Sequence, residues 1–316
     1  MKNLSRTLSA TILLLALIQC GCNSASSQGI QQAAPDIDKF IQLVRPVTGG
    51  YEVTGFNGTV SRTVSVGSRS WVSSLTPDLS GFYFVTIGKA NEAQALKVSL
   101  SGFPSRTVYT GIWTKDNVPS LSWSATDGHA FFGLADGELS RWSACGTALN
   151  RTVISKGVAA FTFSSRTLYW IDTGSKNVLH WHDLLAGAKN EMHIPSGYDR
   201  LSLGQNEREV LLFSNSKSES GLSKSIAKVD TRNKQVSLLT VPVNGKIFDL
   251  VPIKDSASVV LEATYGNKER LDGTELTQFV IWNYAVGTVT RLVTNEKMFQ
   301  LHETPDNIYS VPPECN

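Results

Sequence analysis

Apolar residues in this chain come in short runs rich in Val, Ile, Leu, Phe, Tyr and Trp, separated by clusters of Gly, Asp, Asn and Ser. Such runs predict β-strands, because a helix would need a 3.6-residue period sustained over ten or more positions. The runs fall into sets of four. Residues 71–75, 82–87, 95–100 and 106–110 make one set, and 121–125, 130–134, 138–144 and 149–154 the next. A third comprises 160–163, 168–171, 178–181 and 191–194, and a fourth 201–203, 210–213, 225–229 and 235–239. The fifth is 248–252, 259–262, 278–282 and 288–293. What remains is complementary. Residues 299–303 and 307–311 predict an inner and a second strand near the C-terminus, while 51–56 and 59–66, joined by Asn57-Gly58, predict an outer hairpin.

A literal repeat sets the size of the unit. Ser61-Arg62-Thr63-Val64 returns as Ser105-Arg106-Thr107-Val108 and as Asn150-Arg151-Thr152-Val153, at strides of 44 and 45 residues. A period in the forties with β-rich copies marks four-stranded sheets arranged around an axis. The 261 residues from Tyr51 to Val311 allow about 43 per unit for six units and about 37 for seven, and the stride selects six. The expected fold class is therefore all-β, a six-bladed β-propeller closed by pairing N- and C-terminal strands, which leaves no long sheet edge.

The N-terminal segment has a different character. Lys2 and Arg6 precede a mainly apolar run from Leu8 to Ile18, too short for the ~20 residues that span a bilayer, and this predicts a secretory signal. Gly21-Cys22 resembles the lipoprotein signal of bacteria, which implies that Cys22 is lipidated and becomes the new N-terminus. Gln19 stands where that signal has a small or aliphatic residue, and ordinary cleavage after Ala25 is the competing expectation. Residues 23–35 carry neither charge nor aromatic ring and predict a flexible tether. Asp36 is placed to cap a short helix with Ile37, Phe40, Ile41 and Val44 on one face, stopped by Pro46. The expected division is a signal at 1–22, tether and short helix at 23–49, and a propeller domain at 50–316.

Composition changes this picture little. The 316 residues are 41% hydrophobic with a formal net charge of +2, ordinary for a globular chain. Without residues 1–22 the chain is formally neutral, which argues against a basic nucleic-acid-binding face. Cys145 and Cys315 are expected in sectors too far apart for a disulfide.

Leu168-Tyr169-Trp170-Ile171-Asp172, followed by Thr173-Gly174-Ser175, resembles the Tyr-Trp-Thr-Asp repeats of six-bladed propellers in low-density lipoprotein receptors. Leu121-Ser122-Trp123-Ser124-Ala125-Thr126-Asp127-Gly128 is similar to the inner-strand turn of TolB-type propellers. The resemblance implies that Tyr83, Phe131, Tyr169 and Tyr309 sit on second strands with their rings in the cores between blades. Only Asp172 matches the motif's acid, so receptor-style ligand binding is not implied.

Candidate chemistry is sparse. His180 and His182 lie two apart on a predicted strand and share a face, with His193 the nearest third imidazole; an outer strand with one polar face accounts for them equally. Asp199, Asp249 and Glu303 fall at or near predicted inner strands, and lactonase-type propellers hold a cation, here Ca, with acids in their central channel. No Gly-x-Ser-x-Gly elbow, phosphate loop or Cys-x-x-Cys occurs. Asn57-Gly58-Thr59 and Asn150-Arg151-Thr152 match glycosylation sequons, which the resemblance of the N-terminus to a bacterial signal implies are idle. Two predicted loops are long, 214–224 and 263–277.

The expected function is a non-catalytic binding or scaffolding role in the cell envelope. The protein would be exported to the periplasmic side of a membrane or secreted, held to the membrane by lipid alone, and would take a protein or an envelope polysaccharide as partner, with no cofactor. The binding face would be the one carrying the inter-blade connections. There it collects Trp113, Lys115, Asp116, Tyr198, Asp199, Lys246, Tyr265, Arg270, Glu296 and Lys297. The alternative is a metal-dependent lactonase or lyase with Asp199, Asp249 and Glu303 around a channel cation.

Overall fold

The computed structural model describes residues 36–47, 50–58, 60–65, 70–75, 82–86, 94–98, 106–111, 120–123, 130–145, 148–173, 177–214, 225–241, 243, 246–269 and 274–303. Within them the chain is all-β, with a single 3-10 turn at Ile37–Lys39. The first three strands are β1 (Ile41–Val47), β2 (Gly50–Thr54) and β3 (Val60–Ser65). Five sheets of four consecutive strands follow. The first contains β4 (Ser70–Leu75), β5 (Phe82–Thr86), β6 (Gln94–Val98) and β7 (Arg106–Gly111), and the second β8 (Ser120–Trp123), β9 (Ala130–Ala135), β10 (Glu138–Cys145) and β11 (Ala148–Lys156). The third contains β12 (Val158–Phe163), β13 (Thr167–Asp172), β14 (Val178–Asp183) and β15 (Lys189–His193). The fourth is β16 (Arg200–Leu203), β17 (Glu209–Phe213), β18 (Ser225–Asp230) and β19 (Gln235–Thr240). The fifth is β20 (Ile247–Pro252), β21 (Ser258–Glu269), β22 (Glu275–Asn283) and β23 (Thr288–Asn295). The last strand, β24 (Gln300–Glu303), pairs antiparallel with β1 to make a composite sheet ordered β24-β1-β2-β3.

First strands lie next to first strands. β4 approaches β8, β12 approaches β16, β16 approaches β20, and β20 approaches β24, while β12 meets β9 and β10, and β2 meets β4. The core is layered between sheets. Tyr169, Ile171 and Leu179 of the third sheet pack on Leu201, Val210 and Leu212 of the fourth, and Leu211, Phe213 and Ile226 of the fourth on Leu250, Val259 and Leu261 of the fifth. Each such side chain, taken wholly out of water, contributes about 1.5–3 kcal/mol before entropy is counted.

The composite sheet differs from its sequence-based expectation. Residues 37–44 match a helical stripe, yet after one 3-10 turn the chain becomes β1. Alternation explains why. Ile41 and Leu43 enter a core shared with Val251, Val260, Phe279 and Leu301, while Arg45 on the next like position pairs with Glu52 of β2 at 2.7 Å. A helix would have kept Phe40 and Val44 on that stripe but left β24 without a partner. Strands of the propeller body thus begin at Ile41 instead of residue 50. One C-terminal and three N-terminal strands form this sheet, where two and two were expected; residues 307–311 lie outside the described residues.

The entry segment is tied down locally. Asp38 Oδ1 accepts the Phe56 N–H at 2.7 Å, and a Cβ on Gly55 would come within 2.6 Å of that carboxylate. Gly58, with φ +79, donates its N–H to Gly55, closing the turn that Asn57-Gly58 predicts.

Candidate functional site: a polar depression beside the fourth sheet

In a four-stranded antiparallel sheet the first-to-second and third-to-fourth connections share one end, and the second-to-third connection lies at the other. At the former end of the fourth sheet, the β16–β17 and β18–β19 turns border a depression of about 470 Å³. Its walls are formed by Asn206, Glu207, Arg208 and Glu209 on one side and Asp230, Arg232 and Asn233 on the other.

Each turn holds its own shape. Asn206 Oδ1 accepts the Arg208 N–H at 3.0 Å. Asp230 Oδ1 accepts the N–H groups of Arg232 at 2.9 Å and Asn233 at 3.2 Å, and its Oδ2 accepts Asn233 Nδ2 at 2.8 Å. These are Asx turns, in which a short side chain substitutes for a backbone partner. Burial opposes ionisation of Asp230, but the bonds from Asn233 and Arg232 prevail and hold its carboxyl below the usual range. The two turns are also bonded to one another, since the Arg208 carbonyl accepts both the N–H of Thr231 at 3.0 Å and its hydroxyl at 2.9 Å.

Neighbouring sheets pin the same region. From the third sheet, Tyr169 donates its hydroxyl to the Glu207 carbonyl and Ser165 donates to the Glu207 carboxylate. From the fifth, Tyr284 donates to Glu209 Oε1 at 2.5 Å. Burial raises the pKa of both phenols, and for Tyr284 the Glu209 carboxylate adds to it. Glu209 also receives the Gln205 N–H at 3.0 Å and lies 3.7 Å from Lys228 Nζ. A Cβ at position 204 would collide with that carboxylate, which fixes Gly204.

All three carboxylates of the depression therefore have donors of their own. The guanidinium groups of Arg208 and Arg232 are exposed, and among the described residues neither makes a side-chain hydrogen bond or ion pair. The site combines turns held in place with a lining of both charges.

The residues singled out from the sequence are dispersed. Trp113, Lys115, Asp116 and Arg270 lie outside the described residues, as do Cys22 and Cys315. Tyr198 is buried among Leu201, Ala227 and Val229, its hydroxyl 3.3 Å from Ser225 Oγ, so it stands in the core and not on the rim. Lys246 pairs with Glu275 at 3.0 Å, and Tyr265 lies under the Arg291 guanidinium at 5.0 Å from its centroid. These belong to the opposite end of the sheets from the depression. The long loop at 263–277 is mostly strand: β21 and β22 continue to pair out to Glu269 and Glu275. The loop at 214–224 lies outside the described residues beyond Ser214.

Asp199 precedes β16, Asp249 is third in β20 and Glu303 is last in β24, so they occupy different heights along neighbouring strands. Burial raises Asp249 to about 6, and Glu262 opposite it acts in the same sense; burial raises Glu303 to about 7. Among the described residues no three His, Cys, Asp or Glu side chains group closely enough to hold a metal ion. His180 lies between Asp172 Oδ2 at 2.8 Å and Glu191 Oε2 at 3.3 Å and stacks on Trp170, so both ring nitrogens face carboxylates. His193 is exposed opposite Val178, and His182 faces Leu168 and Lys189.

Sequence reasoning passed over the depression. Asn206-Glu207-Arg208-Glu209 and Asp230-Thr231-Arg232-Asn233 read as plain turns, and only the Asn and Asp at their heads signal fixed geometry.

No family model matches the chain, and no curated protein matches it. Solved structures do. The Cps50 (Swd1) β-propeller domain of Myceliophteria thermophila is similar at 13% identity over 83% of this chain and 84% of that one, with a TM-score of 0.52. Kluyveromyces lactis Hsv2 with loop 6CD replaced by a Gly-Ser linker is similar at 9% identity over 81% of this chain and 95% of that one, with a TM-score of 0.51. A chain of the mitotic checkpoint complex is similar at 13% identity over 84% of this chain and 78% of that one, with a TM-score of 0.50. At such low identity the likeness speaks to fold alone, and the fold is a β-propeller.

Proposed function

We propose that this chain is a non-catalytic binding or scaffolding protein of a bacterial cell envelope, exported, lipid-anchored at Cys22, and docking a protein partner at the polar depression of its fourth sheet. In this reading the fold is a six-bladed propeller of the TolB-like and Tyr-Trp-Thr-Asp type, its sixth blade the composite sheet. The order of approaches from β4 round to β24, and from β2 back to β4, supports the ring. The observation that carries the binding role is the locking of two charged turns to each other and to both adjacent sheets. Ordering side chains and loops on association costs free energy, and a surface already held in place avoids that cost. The rim chosen from the sequence offers a partner less at two of its positions, since Tyr198 is buried in the core and Lys246 already pairs with Glu275.

A photo-crosslinking residue at Gln205, beside the depression, tests the site in the producing cell, with Glu296 at the opposite end of the sheets as the comparison. A discrete adduct from position 205 and none from 296 is the expected result. Adducts from 296 alone would move the interface to the other face. The anchor has its own measurement. Intact mass of the membrane-extracted chain should show acyl groups on Cys22, and Cys22→Ser should release the protein from membranes; a soluble product beginning at Ser26 contradicts it.

A further inference from the structure

We infer that the outer strand of the fourth sheet, β19, pairs edge to edge with β19 of a second copy of this chain, giving a weak two-fold dimer. This stands apart from the depression and does not rest on it. The first support is a contrast among outer strands. β3, β7, β11, β15 and β23 each carry an arginine or lysine (Arg62, Arg106, Arg151, Lys189 and Arg291), whereas β19, Gln235–Thr240, has no charge, no proline and no bulge. Charges, prolines and bulges are what keep an exposed edge from pairing. Among the described residues β19 is bonded to β18 alone, so its other edge is open. The cation next to it in the chain is turned aside: Lys234 donates to the Glu191 carbonyl at 3.3 Å and lies 5.7 Å from the Trp181 ring centroid, both in the third sheet.

The second support is what the open strand exposes. Val236 and Leu238 alternate on one face and are 36% and 67% exposed. They stand opposite Val229 and Ala227 of β18, which are buried in the core between the third and fourth sheets, so they carry that apolar layer out into solvent. The third is self-complementarity, which selects a second copy over an unrelated strand. Antiparallel pairing about Ser237 sets Val236 of each copy opposite Leu238 of the other and Lys234 opposite Thr240, so apolar meets apolar and like charges do not face each other. A two-fold axis satisfies both edges at once and leaves neither open, the closed arrangement commonest among homo-oligomers. Six residues span only about 20 Å. An interface built on so short an edge is small, and pairing should grow with concentration.

Sedimentation velocity of the full chain, from low micromolar to near-millimolar concentration, tests the pairing. The expected result is a single chain at the low end and a mass approaching twice that at the high end. L238K should weaken association at least tenfold, while L185K, at an equally exposed position in the β14–β15 turn, should leave it unchanged. Because both side chains are exposed, both variants should melt with the wild type at low concentration, which separates loss of pairing from loss of fold. S237C places two thiols across the axis and should yield a disulfide-linked pair under mild oxidation in excess of any from the wild type. Association of unchanged strength in L238K overturns the assignment. So does a chain that stays single at every concentration with S237C unlinked, the result expected if another segment of the chain or a different protein covers β19.

Discussion

Burial acts in opposite senses on His302 and Glu303, neighbours on β24. It lowers the imidazole to about 4 and raises the carboxyl to about 7. Lys254 acts against the rise of Glu303, and Gln42 faces His302 across the sheet. The histidine binds its proton more readily in the unfolded chain, so its contribution to stability is present above about pH 6.5 and is lost as pH falls toward 4. Glu303, and Asp249 at about 6, hold their protons more readily when folded. Their contribution is present below the ordinary carboxyl range and is lost as pH rises through 6 to 7. Between pH 4.5 and 6.5 the two effects oppose each other. Replacing His302 with Gln removes one of them, so the melting temperature of H302Q should gain on that of the wild type as pH is lowered across this window. Parallel curves for the two proteins would show that His302 is not held neutral by the fold.

At the scale of elements, every predicted strand within the described residues is present, because turn residues and apolar runs both repeat. The Arg-Thr-Val of all three tetrapeptide copies falls on the outermost strand of its sheet, β3, β7 and β11. Each copy's arginine stands opposite an apolar residue of the third strand: Arg62 opposite Val53, Arg106 opposite Val98 and Arg151 opposite Trp142. Arg151 shows one use of that position. Its guanidinium covers the Trp142 ring at 5.4 Å and bonds Ser140 and Glu138, and a charge on an outer strand also discourages pairing with another edge. β1 was misread because Ile37, Phe40, Ile41 and Val44 satisfy a helical period while Ile41, Leu43 and Arg45 satisfy a strand period. A segment this short is decided by its partner β24, more than 250 residues away, which no local pattern reveals. The extension of the β21–β22 hairpin into 263–277 reads as loop in the sequence for a similar reason, its polar residues being compatible with either state. The depression was illegible because its parts come from three sheets. Ser165 and Tyr169, Glu207 and Asp230, and Tyr284 acquire a common purpose only once those sheets are adjacent.

For the whole molecule, the proposed ring would be closed by β24, which pairs antiparallel with β1. Its register with β1 sets Leu301 opposite Leu43 and Glu303 opposite Ile41, and Leu301 joins Ile41, Val251, Phe279 and Ile281 in one buried cluster. That cluster links the composite sheet to the fifth sheet, whose Tyr284 in turn pins Glu209 at the depression. In the proposed reading, closure and the docking depression are thus joined through packed and hydrogen-bonded side chains. Without β24, β1 would present an unpaired edge and Ile41 and Leu43 would lose their cover, conditions that favour association between chains. The most direct test is a chain ending at Thr294, compared with the full chain by thermal unfolding and size-exclusion chromatography. The ring predicts loss of the cooperative transition or a fall of many degrees in melting temperature, with self-association of the shortened chain. A shortened chain that remains monomeric and melts at the temperature of the full one would contradict closure through β24.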